Sequence, residues 1–497
     1  MPRVLADYEP NQVLYYFEQL CAIPHGSGNV KKVADYLCFF AKLHNLTFYR
    51  DGADNVVIRK EASPGYGHLP TVILQGHTDM VCAKVPESAH DFEKDGLELI
   101  VDGDLLHANG TTLGGDNGIA VAMALALLAA DDIDHPKLEI VLTSDEEIGL
   151  VGAKALDYSK LNGKFLMNLD SEAEGILTVS CAGGSMTTVT LPFVREHAEG
   201  NVYTVRIHGL TGGHSGAEIH KGRANAAVLA GEFLAECGAK VVCAEGGCAD
   251  NAIMTECILT VCGSDVETAA SVCEKRFAER YPEENIKVTC TPTGETGAET
   301  ATADLGGYLR KAPYGIQAMS KEIDGLVQTS LNVGILRTEG DAFVLTYSVR
   351  SSVESEKNAL NASVKEIARS FGGDAVTEGE YPAWEYRKNS PLRDLMTSVY
   401  ESMYGKQMKV EAIHAGLECG LFAGGIADLD AVSFGPDMQD IHTPREAISI
   451  ESIGRTWSYL LAVLAAMKEH ELTVVPAETA EPAKEKKGLF GLWKRRK

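Results

Sequence analysis

TVILQGHTDMV at residues 71–81, TLGGDNGIAVAMALALL at 112–128 and KLEIVLTSDEEIGLVGA at 137–153 are three apolar runs, each carrying acids or a histidine at one end. Val72, Ile73 and Leu74 read as a short buried strand that stops at Gln75-Gly76, so His77 and Asp79 fall on the loop past its C-terminal end. In open α/β sheets that edge is where sites are built. The second run sets Asp116 in a Gly-Gly-Asp-Asn-Gly turn ahead of Ile119–Leu128, an apolar stretch that reads as a buried helix. Leu138–Leu142 is another buried strand, and Asp145, Glu146 and Glu147 crowd its end. Phe165–Leu169 is a third strand, delivering Asp170, and Ala431–Phe434 is a fourth, followed by Gly435-Pro436 and then His442.

Acids packed that closely repel one another, and beside an apolar core they require an opposite charge among them. A metal centre supplies it. Zinc takes imidazole and carboxylate ligands, and in catalytic sites it keeps a position open for water. His77, Asp116, Glu147, Asp170 and His442 form a set able to hold two Zn²⁺ with a shared water. The charge closes, because two dications against three carboxylates and one hydroxide sum to zero. Asp79, two residues after His77, is placed to accept the imidazole's other N–H and fix its tautomer. Glu146, beside a ligand, is placed to take the proton of the bridging water.

His77-Thr78-Asp79, Gly115-Asp116-Asn117-Gly118, Asp145-Glu146-Glu147 and Asp170-Ser171-Glu172, in this order and spacing, resemble the aminoacyl-histidine dipeptidases. These are also called cytosol non-specific dipeptidases, within the larger group of di-zinc peptidases and deacylases, and the resemblance runs to about Lys468. It implies an α/β fold: a di-zinc exopeptidase-like catalytic domain with a central mixed sheet, plus an inserted α+β lid. It also divides the ligands, with Asp116 bridging, one zinc on His77 and Asp170, and the other on Glu147 and His442. Co²⁺ or Mn²⁺ are the expected substitutes. The implied activity is hydrolysis of dipeptides, Xaa-His and a broader range, by a zinc-bridged hydroxide with Glu146 as general base. The implied substrate residues are His214, stabilising the developing oxyanion, and Asn251, Arg350 and Gly416, holding the far carboxylate. A homodimer is expected from the shorter relatives.

Two other functions fit the same strings. N-acyl amino-acid deacylases share the metal edge and differ only in the substrate pocket. A non-catalytic metal-dependent binding protein would need a lost ligand or base, and none is missing from this sequence.

The composition fits an enzyme of this kind. At 497 residues the chain is long enough for two or three domains. Lys+Arg at 45 against Asp+Glu at 70 gives a formal charge of −25, which excludes nucleic acid as a partner for the body of the protein. A small peptide with a free carboxylate therefore needs a local positive pocket. No apolar run reaches the about 18 residues that a membrane span needs. The first residues carry charge where a signal peptide is apolar, so a cytoplasmic location is expected. The 12 cysteines suit a reducing compartment, and Cys237, Cys243, Cys248, Cys257, Cys262 and Cys273 contain no C-x-x-C pair, so they read as ordinary thiols.

Along the chain, Asn11–Cys21 and Lys31–Leu43 have helical spacing, Thr47–Arg59 reads as a hairpin, and Ser180–Gly184 as a crossing into another domain. From there the pattern changes. Strand Val202–Ile207, helix Asn225–Cys237, strands Lys240–Cys243 and Glu256–Val261, helix Val266–Arg280 and strand Ile286–Cys290 give a β-α-β-β-α-β order. A second set follows from Ala303 to Glu378, so the lid is expected to be doubled. The expected boundaries are a split catalytic domain at 1–184 and 380–473, a lid at 185–379 and a tail at 474–497. In the lid, His214 sits on a glycine-bracketed loop that reads as exposed, and Arg350 ends an alternating strand. His414 and Glu418 are candidates for support around the site. The tail ends in leucine and aromatic residues among basic ones, a composition able to contact an anionic membrane surface.

Overall fold

The computed structural model describes residues 3–470 and 472–476. Its central sheet has eight strands in the order Thr47–Arg50, Val56–Lys60, Leu138–Thr143, Val72–His77, Phe165–Asn168, Asp430–Ser433, Ile176–Cys181, Lys409–Ile413. Val72–His77 is parallel to both its neighbours, and Asp430–Ser433 is parallel to Phe165–Asn168. These four strands are buried throughout, which is why they read as continuous apolar runs rather than as alternation. Their C-terminal ends all face one edge. Thr47–Arg50 and Val56–Lys60 close the far side as the antiparallel hairpin expected from sequence.

Helix Gly115–Ala129 lies between strand Val72–His77 and helix Asn11–Cys21, so every residue from Gly118 to Leu128 is buried. Each fully buried Val, Leu or Met there contributes about 1.5–3 kcal/mol. Close approach depends on two glycines. A Cβ at Gly76 would stand 2.4 Å from Asn117 Oδ1 and 2.8 Å from Ala120 Cβ, and one at Gly118 would stand 3.3 Å from the Phe17 ring. A small antiparallel sheet, Met438–Gln439, Ala447–Ser449, Leu105–Ala108 and Leu99–Asp102, anchors the segment that carries His442. Its strands are too short to have shown a period in the sequence.

The lid is one nine-stranded antiparallel sheet with helices packed on it. Strands Arg195–His208, Lys240–Gly246, Cys257–Gly263 and Lys287–Ala301 with helices Ala226–Cys237 and Val266–Arg280 make one β-α-β-β-α-β set. Gly183–Pro192, Leu305–Lys311, Val327–Glu339, Ala342–Ser351, Glu354–Ser370 and Asp374–Tyr381 make the other. The second set thus opens with a strand that precedes the whole first set. The sequence reading began it at Ala303, because the first set interrupts it after its opening strand. The two sets join where Gly246 pairs with Leu336, and Gly247 lies so close to Gly334 that a Cβ would fall 1.8 Å from the Gly334 carbonyl.

The lid has its own apolar core, from Val189 to Ala375. The eight-stranded sheet is packed by residues drawn from both sides of that insertion. The chain crosses between them twice, and the crossings run side by side, with Cys181 and Trp384 exchanging backbone hydrogen bonds at 3.0 and 3.1 Å. All twelve cysteines are free, and Cys257, Cys262 and Cys273 are buried as ordinary thiols. Among the described residues no helix is long and apolar enough to cross a membrane. The surface-binding expectation for the tail falls on residues 477–497, outside the described residues.

Candidate active site

The parallel strands deliver His77, Glu146, Glu147 and Asp170 to one edge, the turn before helix Gly115–Ala129 brings Asp116, and the segment after Asp430–Ser433 brings His442. His442 holds a left-handed backbone at φ 61, a conformation that costs a non-glycine residue about 1 kcal/mol or more and aims its ring inward. Three overlapping groups of potential metal ligands result: His77, Asp116 and Asp170; Asp116, Glu147 and His442; and His77, Glu146 and Glu147.

The spacing tests whether these side chains fit a metal pair. Tetrahedral ligands about 2.0 Å from zinc stand about 3.3 Å from one another. His77 Nε2 is 3.1 Å from Asp116 Oδ1 and 3.6 Å from Asp170 Oδ1, and His442 Nε2 is 3.1 Å from Asp116 Oδ2 and 2.9 Å from Glu147 Oε1. The two oxygens of Asp116 thus face two different imidazoles, as a bridging carboxylate does. Glu147 Oε1 is buried, and the polar group nearest to it is the ring nitrogen Nε2 of His442 at 2.9 Å. An acceptor so placed points at a cation.

Acid–base behaviour says the same. Hydrogen bonds to Asp116 and Glu147 hold His442 protonated up to about 10. His77, although fully buried, is raised well above the usual imidazole range by Asp116, Asp79 and Asp170. Burial raises Asp170 well above the usual carboxylate range. Asp116, in spite of its burial, is instead held well below the usual carboxylate range by His442 and His77, so positive charge sits on both sides of this carboxylate. Burial also pushes Glu146 up to about 8, with Glu418, Glu147 and Asp116 reinforcing it and His77 opposing it.

The surroundings orient these groups. His77 Nδ1 faces the Asp79 main-chain carbonyl at 3.0 Å, while the Asp79 carboxylate is farther, at 3.4 Å. The tautomer is therefore set chiefly by the main chain of Asp79 rather than by its carboxylate. The carboxylate instead accepts from the backbone N–H groups of Glu146 at 2.9 Å and Glu147 at 3.3 Å and from Ser27 Oγ at 2.8 Å, so it positions both glutamates. Sequence reasoning missed Glu446. Buried in the loop after His442, it accepts from the backbone N–H groups of Leu113, Gly114, Gly115 and Asp116 at 2.9, 3.2, 2.8 and 3.3 Å. Beneath the site, Glu418 Oε2 accepts from Gln75 Nε2 and from Thr143 Oγ1, tying two of the parallel strands together.

The lid residues form a second group. His214 is half-buried rather than exposed, and its Nδ1 accepts from the backbone N–H groups of Gly216 at 3.2 Å and Ala217 at 2.9 Å. Burial and the nearby Arg350 keep its pKa below the usual value. The ring is therefore neutral with its proton on Nε2, a donor. A Cβ at Gly216 would touch His214, Arg350 and the His414 carbonyl together, at 3.0, 3.2 and 2.7 Å, which places all three around one point. His414 Nε2 bonds Ser330 Oγ at 2.7 Å, and burial beside Arg350 drives its pKa down to about 3. Asn251 lies on the loop paired with His214, its carbonyl accepting from Ser215 N at 2.8 Å and its side chain exposed. Gly416 lines a cleft with Glu146, Glu147 and Tyr381, which joins the two groups.

Residues 73–466 match Peptidase family M20/M25/M40. The chain belongs to that family. Among its relatives, the cytosol non-specific dipeptidase of Escherichia coli (strain K12) is 34% identical over 478 residues, 93% of this chain and 98% of that one. The crystal structure of an aminoacylhistidine dipeptidase from Vibrio alginolyticus superposes with a TM-score of 0.87 at 34% identity, covering 93% of this chain and 98% of that chain. An aminopeptidase PepT from Bacillus cereus shares the fold at 16% identity and a TM-score of 0.55, over 93% of this chain and 99% of that chain. The family membership covers the strings that carry His77, Asp116, Glu147, Asp170 and His442, so the clustered side chains and the M20/M25/M40 relationship are two independent reasons for a metallopeptidase.

Proposed function

We propose that the protein hydrolyses the amide bond of free dipeptides, Xaa-His among them, with two zinc ions on His77, Asp116, Glu147, Asp170 and His442. The observation that carries this reading is the face-to-face arrangement of two imidazoles across one carboxylate, with Glu146 alongside. When bound, the cations supply Lewis acidity toward the scissile carbonyl and a water of lowered pKa. Glu146 takes the proton of the attacking water and passes it to the leaving amine, a task suited to a carboxylate whose pKa burial has raised. His214 donates its Nε2–H to the carbonyl oxygen as charge develops there. Arg350, with Asn251 and the Gly416 backbone, grips the carboxylate at the far end of the substrate. Longer peptides put a neutral amide in that place and lose the grip.

Residues 1–184 and 380–473 form the catalytic domain in this reading, and 185–379 the lid. The M20/M25/M40 membership supports the chemistry, and the similarity to a cytosol non-specific dipeptidase of Escherichia coli supports both the chemistry and a cytoplasmic location. A panel of dipeptides, histidine-containing ones included, assayed beside N-acetyl amino acids with and without chelator, tests the proposal. Dipeptide hydrolysis that chelator removes and zinc restores is expected. Release of amino acids from the N-acetyl compounds alone would make the protein a deacylase instead, and zinc binding with no hydrolysis of either would make it a binding protein.

A further inference from the structure

The inference concerns the carboxylate pocket and rests on the assignment of the substrate's carboxylate to Arg350. Arg350 is 9% exposed, yet its side chain makes one hydrogen bond, from Nη1 to the Tyr381 hydroxyl at 3.1 Å, and its Nε is buried without a partner. Among the described residues no carboxylate pairs with it. A guanidinium so buried, with a phenol as its one hydrogen-bond partner and the neutral rings of His214 and His414 nearby, is built to meet an anion that the described residues do not provide.

We propose that Tyr381 is a substrate-binding residue that donates its hydroxyl proton to the carboxylate held by Arg350, and so helps select substrates that end one residue after the scissile bond. Its Oη accepts from Arg350 and, among the described residues, its own O–H has no acceptor, so that proton points to a ligand. The phenol is held in place from several sides. A Cβ at Gly184 would lie 2.3 Å from Oη and one at Gly416 would lie 2.7 Å from Cε2, so two glycines, one at the first crossing and one in the loop after strand Lys409–Ile413, form the slot for the ring. The buried Lys357 donates to the Tyr381 carbonyl at 2.8 Å and pairs with Glu354 at 2.9 Å, fixing the main chain behind it. The ring lines the cleft that also contains Glu146, Glu147 and Gly416, so the phenol and the proposed base face one open space. Burial raises the phenol's pKa despite Arg350, which keeps the group a donor at neutral pH.

The test is Tyr381→Phe, which keeps the ring and removes only the hydroxyl, assayed on a dipeptide and on the same dipeptide as its C-terminal amide. A hydrogen bond to a charged group corresponds to about 10- to 100-fold in affinity. The expected result is a KM for the free acid raised by at least about tenfold, and an acid-to-amide preference in kcat/KM reduced by the same factor. Calorimetry of both ligands on Glu146→Gln, with and without Tyr381→Phe, measures the same preference without turnover. Equal changes on acid and amide, or no change on either, overturn the proposal. Absence of dipeptide hydrolysis by the unaltered protein would defeat the dipeptidase reading by itself, and the calorimetric acid-to-amide ratio would still decide the role of Tyr381.

Discussion

Glu446 and Asp116 are joined through the main chain: Glu446 Oε1 accepts the Asp116 N–H at 3.3 Å, while His442, four residues earlier, presents Nε2 to Asp116 Oδ2 at 3.1 Å. One short segment thus supplies a candidate ligand and also shapes the turn that supplies the bridging one. The four N–H groups that Glu446 receives belong to a glycine-rich turn, where glycine leaves the backbone many conformations to choose among. Glu446→Gln replaces one acceptor oxygen with a donor that faces those N–H groups. Metal affinity is expected to fall about 10- to 100-fold, as when the partners of ligands are removed elsewhere. Metal content after dialysis against graded chelator reads this directly. Retention equal to the unaltered protein would show that the turn holds its shape without Glu446.

Glu146→Gln separates binding from chemistry. The side chain keeps its size and stays beside Glu147, so both cations should remain, while the proton acceptor is gone. Turnover on a dipeptide is expected to fall about 10²- to 10⁴-fold. Metal analysis and kcat on the same preparation make the comparison. Loss of metal together with activity would instead make Glu146 a ligand, as its position within reach of His77 and Glu147 permits.

How much of this could be read in advance depended on where each group sits. His77, Asp116, Glu147, Asp170 and His442 follow buried strands or precede a buried helix, so an apolar run announces each of them. The four buried parallel strands of the eight-stranded sheet are legible for the same reason, whereas Ile176–Cys181 and Lys409–Ile413 do not read as strands from sequence. Glu446 has no such signature, because it acts on backbone N–H groups some 330 residues earlier and any loop acid looks alike in sequence. Tyr381 has no sequence signature either, since its slot is made by Gly184 and Gly416 from distant segments. The opening strand Gly183–Pro192 was missed because an entire β-α-β-β-α-β set separates it from its own partners in the chain.

His214 is held as a donor by two backbone N–H groups on its Nδ1. His214→Ala should therefore lower kcat about 10²- to 10³-fold, as loss of one oxyanion donor does, with a smaller effect on KM. His214→Gln, which restores an N–H of similar reach, should recover part of the loss. Steady-state kinetics of the two variants decide the matter. A change confined to KM would place His214 in ground-state binding alone.

Glu418 gives a pH-dependent prediction for the metal-stripped protein. Burial pushes its carboxyl from an ordinary 4.5 up to about 7, in spite of His77 and the hydrogen bonds from Thr143 and Gln75. Below pH 4.5 the group is protonated in folded and unfolded chains alike, and its contribution to stability is intact. Between about 4.5 and about 7 the unfolded chain releases the proton while the folded chain keeps it, so stability falls as pH rises and then levels off. Glu418→Gln removes the titration while its amide oxygen still accepts from Gln75 and Thr143. Thermal melts of both proteins across this range, with chelator present, should show a Tm difference that grows in favour of the variant from pH 4.5 to 7 and is constant above. Parallel curves over the whole range would mean that Glu418 keeps an ordinary pKa in its buried place beneath the site.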